Sequence, residues 1–291
     1  MSGKNRKSII NIFYIPAILL FLVFVIYPFI EGIRISFTNW NGYSQNYKYI
    51  GLNNYVKLLH DSKMGVALRN TLIYGVGSTI LQNILGLAYA IFLNTKIKGR
   101  TLVRTVVYAP VMISGLVMGY IMYFLVQYDG GAINDILIAL GRDPVDWLNN
   151  GNRAVVIITL INVIQYVGTS MVIYLAGLQN ISTQYYEAAE IDGASSWQRF
   201  RYITIPMLTP AISSSVTLNL IGGLKLYDVI QALTSGGPGY SSHSLSTLVS
   251  NQYFSAANAG YSATIGLFSF VLIMVLSNIV TFYFNKKEIY A

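Results

Sequence analysis

The sequence predicts an all-α membrane protein, a single transmembrane domain over residues 1–291 with six spans and both termini in the cytoplasm. Three observations lead there. Only 10% of the residues are charged and 54% are hydrophobic, whereas soluble domains run near a quarter charged. Six apolar stretches, residues 12–30, 72–93, 106–126, 155–178, 210–230 and 263–284, are each long enough to cross a hydrocarbon layer about 30 Å thick. The basic residues are also lopsided, which sets orientation. With the N-terminus inside, the inner face holds Lys4, Arg6, Lys7, Lys96, Lys98, Arg100, Arg104, Arg199, Arg201, Lys286 and Lys287 against Glu187, Glu190, Asp192 and Glu288, a net +7. The outer face keeps eight basic and seven acidic residues, a net +1. The overall +8 is therefore a topology signal, not a nucleic-acid footprint.

The first span follows a basic stretch and superficially resembles a signal peptide. It is too long for that and is followed by no small-x-small cleavage site, so an uncleaved span is expected. Residues 31–71 are dense in aromatics (Phe37, Trp40, Tyr43, Tyr47, Tyr49, Tyr55), which suits the outer interface, and residues 51–59 read as a short surface helix. Gly115 and Gly119 form a GxxxG, expected to be a packing seam. In the second outer segment, residues 132–140 read as an interfacial amphipathic helix. The fifth span is rich in Ser and Gly and carries Lys225 and Asp228 near its end. The turn Ser235-Gly236-Gly237-Pro238-Gly239 is expected to stop that helix.

Between the fourth and fifth spans lies a long polar passage, residues 182–208, read as helix, break, helix. Ser182 can cap the start and Gly193 can close the first helix in a left-handed conformation. Ser195 followed by Gln198 is a capping-box pattern that restarts the helix, and Pro206 then bends the chain into the apolar run. Glu187-Ala188-Ala189, Asp192-Gly193-Ala194, Phe200, Ile203, Pro206 and Pro210 resemble the EAA loop of bacterial ABC-importer permeases, the Glu187 to Gly193 to Pro206 spacing making the match specific. Ser36-Phe37-Thr38-Asn39-Trp40, Gly51-Leu52-Asn53-Asn54-Tyr55, Asn70-Thr71-Leu72 and Thr234-Ser235-Gly236-Gly237-Pro238 agree with the carbohydrate-uptake branch. Ser182 departs from the Pro that relatives often carry. The resemblance implies a type I importer permease fold in the bacterial cell membrane and a cytoplasmic coupling helix. It implies four kinds of partner beside the lipid bilayer: a second homologous permease subunit, an ATPase dimer, an extracytoplasmic solute-binding protein and a carbohydrate of oligosaccharide size. Carried over residue by residue, ATPase coupling falls to Glu187, Ala188, Ala189, Asp192, Gly193 and Pro206.

No GxxxxGK[ST] is present, so ATP and magnesium would be bound by the partner ATPase and this chain would need no cofactor of its own. The chain has no cysteine, which excludes thiolate metal sites and cysteine nucleophiles. His60 and His243 stand apart without metal-ligand spacing and read as solvated loop residues. No catalytic or metal-binding residue is expected, and the chain reads as a transport subunit, not an enzyme. A substrate path should appear as polar residues inside spans. Asn162, Gln165, Tyr166 and Thr169 follow i, i+3, i+4, i+7 and share a helical face. Asn219, Lys225, Tyr227 and Asp228 add amide, ring and charge from the fifth span, and Lys225 and Asp228 are equally readable as a pair with one another. Ser213, Ser214 and Ser215 read as interhelical bonding, and Gly222–Gly223 as either close helix approach or open space. Two other functions remain open on the sequence: a glycerol-3-phosphate or phosphodiester importer of the same family, and an ion-coupled secondary transporter.

Overall fold

The computed structural model describes residues 14–95 and 98–286. Ile12 and Phe13 of the first expected span, and Lys4, Arg6, Lys7, Lys96, Lys287 and Glu288 of the charge asymmetry, lie outside the described residues. Every regular element described is helical. Among the described residues, four helices are long and apolar enough to cross a membrane: α1 (Tyr14–Ser36), α3 (Ser62–Leu93), α7 (Gly151–Gln179) and α13 (Ala259–Asn285). Two bent pairs bring the number to six when each counts as one span. The first is α4 (Arg100–Met112) with α5 (Gly115–Val126), bent by 103°. The second joins α9 (Ser196–Met207) to the run that begins with α10 (Thr209–Leu224), bent by 65°. Shorter helices are α2 (Asn53–His60), α6 (Ala132–Ala139), α8 (Thr183–Ile191), α11 (Asp228–Leu233) and α12 (Leu245–Ser250).

The chain divides into two units, Met1–Asp61 with Val249–Phe268, and Ser62–Leu248 with Ser269–Ala291. In the first, the aromatic segment is tied down by polar bonds. Asn54 donates to the carbonyls of Ser36 and Thr38, both at 2.8 Å, Thr264 donates to Ser36 at 3.2 Å, and the Tyr261 hydroxyl donates to Asp61 at 2.7 Å. Ser36, Thr38 and Asn54 are buried, so these bonds satisfy groups that would otherwise be costly to keep dry. By contrast, no residue in the apolar run of α1 is buried. Only lipid or another apolar protein surface is a favourable neighbour for such a helix.

The second unit is built on the packing of α3 against α7. Gly77 lies beside Thr159, and Gly86 lies beside Ser170 and Met171. Residue numbers rise together along the contact, so the two helices run parallel and the chain must cross back once between them. The α4–α5 pair is that return. Along the α7–α10 contact the numbers run oppositely, Gly177 meeting Ala211 and Ser170 meeting Asn219. This alternation gives the unit two ends. At one, Ala90, Leu93, Leu175, Leu178, Ile181 and Leu208 form a core beneath α8 and α9. At the other, Tyr74, Val126, Val155, Ile158 and Leu233 pack together with Trp147 and Leu148.

Several expectations are corrected here. The third span is not straight: the helix stops after Pro110 and Ser114 caps a new one, its side chain accepting from Val117 N. The fifth helix stops at Leu224, with Lys225 at its C-cap, and not at the 235–239 turn, which instead ends the separate α11. Because the helix has ended, the i, i+3 relation of Lys225 and Asp228 does not apply, and no ion pair within 4.0 Å joins them. Pro206 does not make the bend. It sits in helix after the wide turn Phe200–Thr204, and the bend falls at Leu208. His243 is not a solvated loop residue. It is 4% exposed, its ring packed against Gly236 and Tyr240 and its Nδ1 2.9 Å from Thr247 Oγ1. Burial and the nearby Lys63 hold its pKa below the usual histidine value. His60 does remain exposed. The GxxxG is a seam: a Cβ on Gly119 would lie 2.6 Å from that of Ala232, and one on Gly115 2.9 Å from that of Asp228.

Candidate functional site

A cleft of about 400 Å³ opens inside the second unit, within the range of small-molecule sites. It is walled by Gln82 of α3, Val111 and Gly115 of the bent pair, Asn162, Tyr166 and Thr169 of α7, Leu218, Asn219, Gly222 and Gly223 of α10, and the segment Lys225–Val229. The helix breaks create it. The α4–α5 bend withdraws backbone beside Gly115, and the end of α10 lets residues 225–227 turn across one side. The two adjacent glycines divide the roles left open by the sequence. Gly223 packs hard against α3, where a Cβ would come within 2.8 Å of the Tyr74 carbonyl, while nothing lies within 4 Å of a Cβ on Gly222.

Of the eight residues expected to contact substrate, seven line this cleft: Asn162, Tyr166, Thr169, Asn219, Lys225, Tyr227 and Asp228. Gln165 does not. It is fully buried, and its Nε2 donates to the Ile113 carbonyl at 3.0 Å, at the break between α4 and α5. The side chains of Asn162, Tyr166, Thr169, Lys225 and Asp228 make no hydrogen bond or ion pair with the protein among the described residues. Asn219 is already engaged, donating to Ser170 Oγ at 2.6 Å, so it also serves as the α7–α10 tie. Ser214 donates to Pro210 within its helix, and Ser215 lies in the Asn219 network. Gln82 was missed by the sequence reading. The available signal was Ser78, Thr79, Gln82 and Asn83 at helical spacing inside a mostly apolar span.

The polar passage folds as a hairpin at the end of the unit where α7 finishes and α10 begins. Ser182 caps α8, its Oγ accepting from Gln184 N. Gly193 closes α8 at φ 77°, and the capping box of Ser195 and Gln198 has both its bonds. Two contacts hold the arms together: Arg199 to Glu190 at 3.1 Å and the Tyr186 hydroxyl to Thr204 Oγ1 at 3.0 Å. The first is largely exposed and contributes at most about 1 kcal/mol. Glu187, Ala188, Asp192 and Gly193 are exposed, while Ala189 and Pro206 are half-buried. Ala189, Asp192, Gly193, Arg199 and Tyr202 border a hollow of about 310 Å³. Ile191 is 87% exposed and Trp197 69%, large apolar surfaces on an otherwise polar knob. A helical unit with such a knob at one end and an internal polar cleft is suited to moving a solute under the push of another protein.

Residues 82–289 match the family described as binding-protein-dependent transport system inner membrane component. The chain belongs to this family. Two relatives agree over nearly the full length. The Multiple sugar-binding transport system permease protein MsmF of Streptococcus mutans is 36% identical, covering 91% of both chains. The Trehalose/maltose transport system permease protein MalF of Thermococcus litoralis is 33% identical, covering 89% of this chain and 88% of its own. Among solved structures, a bacterial ABC transporter involved in the import of the acidic polysaccharide alginate shares the fold, with a TM-score of 0.82 at 23% identity over 97% of this chain and 96% of that one. This permease is therefore a multi-pass transport subunit and not an enzyme, and the ion-coupled secondary transporter is set aside. As a subunit of a binding-protein-dependent ABC system, it works with an ATPase and a binding protein.

Proposed function

We propose that this permease forms, with a second homologous permease, the membrane channel through which a carbohydrate is imported into a bacterial cell. The observation that carries the substrate class is the set of unengaged polar side chains in the cleft: an amide, a phenol, a hydroxyl, one cation and one anion. Sugars are held by hydrogen bonds from amides and carboxylates with aromatic rings against their apolar faces, and Asn162, Asp228, Tyr166 and Tyr227 supply these groups. Lys225 and Asp228 leave the wall neutral, whereas a phosphate ester would require an excess of positive charge. That disfavours the glycerol-3-phosphate and phosphodiester alternatives. The sugars named for the two relatives point the same way.

Coupling is assigned to the hairpin. Glu187 offers a carboxylate for a charge-assisted bond with a basic residue of the ATPase, Ala188 and Ala189 allow close approach, and Gly193 makes the turn. Asp192 flanks that turn, and Pro206 stiffens the second arm. Closure of an ATP-bound ATPase dimer would draw the two permeases' hairpins together and tilt the spans, turning the cleft outward to receive sugar from the binding protein.

The test is uptake by native-host cells of radiolabelled raffinose, lactose, trehalose, maltotriose and glycerol 3-phosphate. Wild type should take up at least one sugar, and Asn162→Ala and Tyr166→Ala should each reduce that uptake by about tenfold or more, with unchanged amounts of permease in the membrane. Uptake of glycerol 3-phosphate alone would overturn the substrate class. Wild-type sugar uptake in both variants would move the binding site away from the cleft.

A further inference from the structure

Gln82 stands on the wall of the cleft and is 1% exposed. Its Nε2 donates to the backbone carbonyl of Asn162 at 2.8 Å. A carbonyl oxygen can only accept, so the amide must offer its NH2 group there, and turning it over would set oxygen against oxygen. The orientation is thereby fixed and Oε1 is the free end. It has no hydrogen-bond partner. Among the described residues one other buried side-chain atom is in this condition, Gln165 Oε1, and that residue does not reach the cleft. An acceptor kept dry without a donor is costly, and such groups persist chiefly where a ligand, ion or water supplies what the protein does not. Gln82, unlike Gln165, belongs to the cleft wall.

We propose that Gln82 is a specificity-determining contact of the transport cleft, accepting through Oε1 the proton of one sugar hydroxyl as the sugar lies against Asn162. The assignment rests on the carbohydrate reading and adds a direction to it: this position reads a donor. Asn162, Tyr166 and Thr169 of α7 supply groups that can turn to suit either donors or acceptors. Gln82 cannot turn without breaking its bond to α7. An analogue that lacks the matching hydroxyl leaves Oε1 unpaired, and sites of this kind discriminate strongly against such analogues.

The test compares wild type with Gln82→Met, which keeps the length of the side chain and removes both polar atoms. The sugar of the panel that wild-type cells transport is used together with its complete set of monodeoxy analogues. In wild type, one analogue should be taken up with about tenfold or lower efficiency than the parent. In Gln82→Met, the parent should fall to about that level and the same analogue should lose nothing further, while the ratios for the other analogues stay as in wild type. The same binding protein delivers every sugar in both strains, so its own preferences cancel from the comparison. Equal losses on every sugar in Gln82→Met would mark a residue that only props Asn162, and would overturn the proposal. So would a wild type that transports all monodeoxy analogues as well as the parent, an outcome that does not depend on how the variant folds. Failure of wild type to transport any sugar would instead overturn the carbohydrate reading, and this assignment with it.

Discussion

Gly86 shows how little slack the α3–α7 contact has. A Cβ there would collide with that of Ser170 and come within 3.0 Å of the Met171 backbone nitrogen, and backbone in the middle of a packed helix cannot step aside. Gly86→Val should therefore separate the two helices, at a cost of about 1–3 kcal/mol or more. The expected result is a lower thermal midpoint for the detergent-purified complex, and a midpoint equal to that of wild type would mean the contact relaxes freely. The same scale shows where sequence reading reaches its limit. With about 100° per residue, Asn162, Tyr166 and Thr169 fall within a narrow arc, but Gln165 lies about 60° to one side of Asn162. Periodicity admits it to the face. What excludes it is the Ile113 carbonyl at the α4–α5 break, a partner 52 residues away that no local pattern announces. Gln82 was overlooked for the converse reason. Ser78, Thr79, Gln82 and Asn83 recur at helical spacing in the second span, but such a pattern marks a polar face without saying what it meets, and only the neighbouring α7 shows that Gln82 belongs to the cleft.

At the scale of elements, the hairpin was the most legible part of the chain because every signal that builds it is local. Ser182, Gly193, Ser195 and Gln198 act within three residues of themselves, and the structure has each cap they imply. The break of the third span after Met112 and the early end of the fifth helix at Leu224 were not legible, since residues such as Pro110 and Gly222-Gly223 are frequent inside membrane helices. Beside the helix endings at Met112 and Leu224 lie partners distant in sequence, Gln165 at one and Tyr74 at the other. Gly193 offers a clean test of the hairpin's geometry. Nothing lies within 4 Å of a Cβ built there, so a substitution meets no neighbour, but its φ of 77° is left-handed. A β-branched residue would be strained by roughly 1–2 kcal/mol or more, whereas Asn tolerates this region. Gly193→Val should lower uptake and uncouple ATP hydrolysis from sugar delivery, and Gly193→Asn should recover most of both. Wild-type coupling in the valine variant would show that the turn is not held in this conformation when the ATPase is docked.

At the scale of the whole molecule, the parallel run of α3 and α7 and the reversal at α10 place the hairpin at one end of the second unit, with the 127–150 segment at the other. Which end faces the cytoplasm we infer from the charges. Lys98, Arg100, Arg104, Arg199 and Arg201 all belong to the hairpin end, and basic loops stay inside. The absence of cysteine makes the orientation directly measurable. Single cysteines are introduced by Ala188→Cys on the hairpin and by Ala139→Cys, an exposed helical residue of α6 in the 127–150 segment. A membrane-impermeant maleimide should label the second in intact spheroplasts and the first only in inverted vesicles. A bifunctional cross-linker at Ala188→Cys should then capture an ATP-binding subunit in the inverted vesicles. Labelling of the hairpin cysteine from outside would reverse the orientation and remove the hairpin from the ATPase. Inside labelling without cross-linking to an ATPase would keep the orientation and withdraw the coupling role, leaving the exposed Ile191 and Trp197 to be explained by contact with another protein.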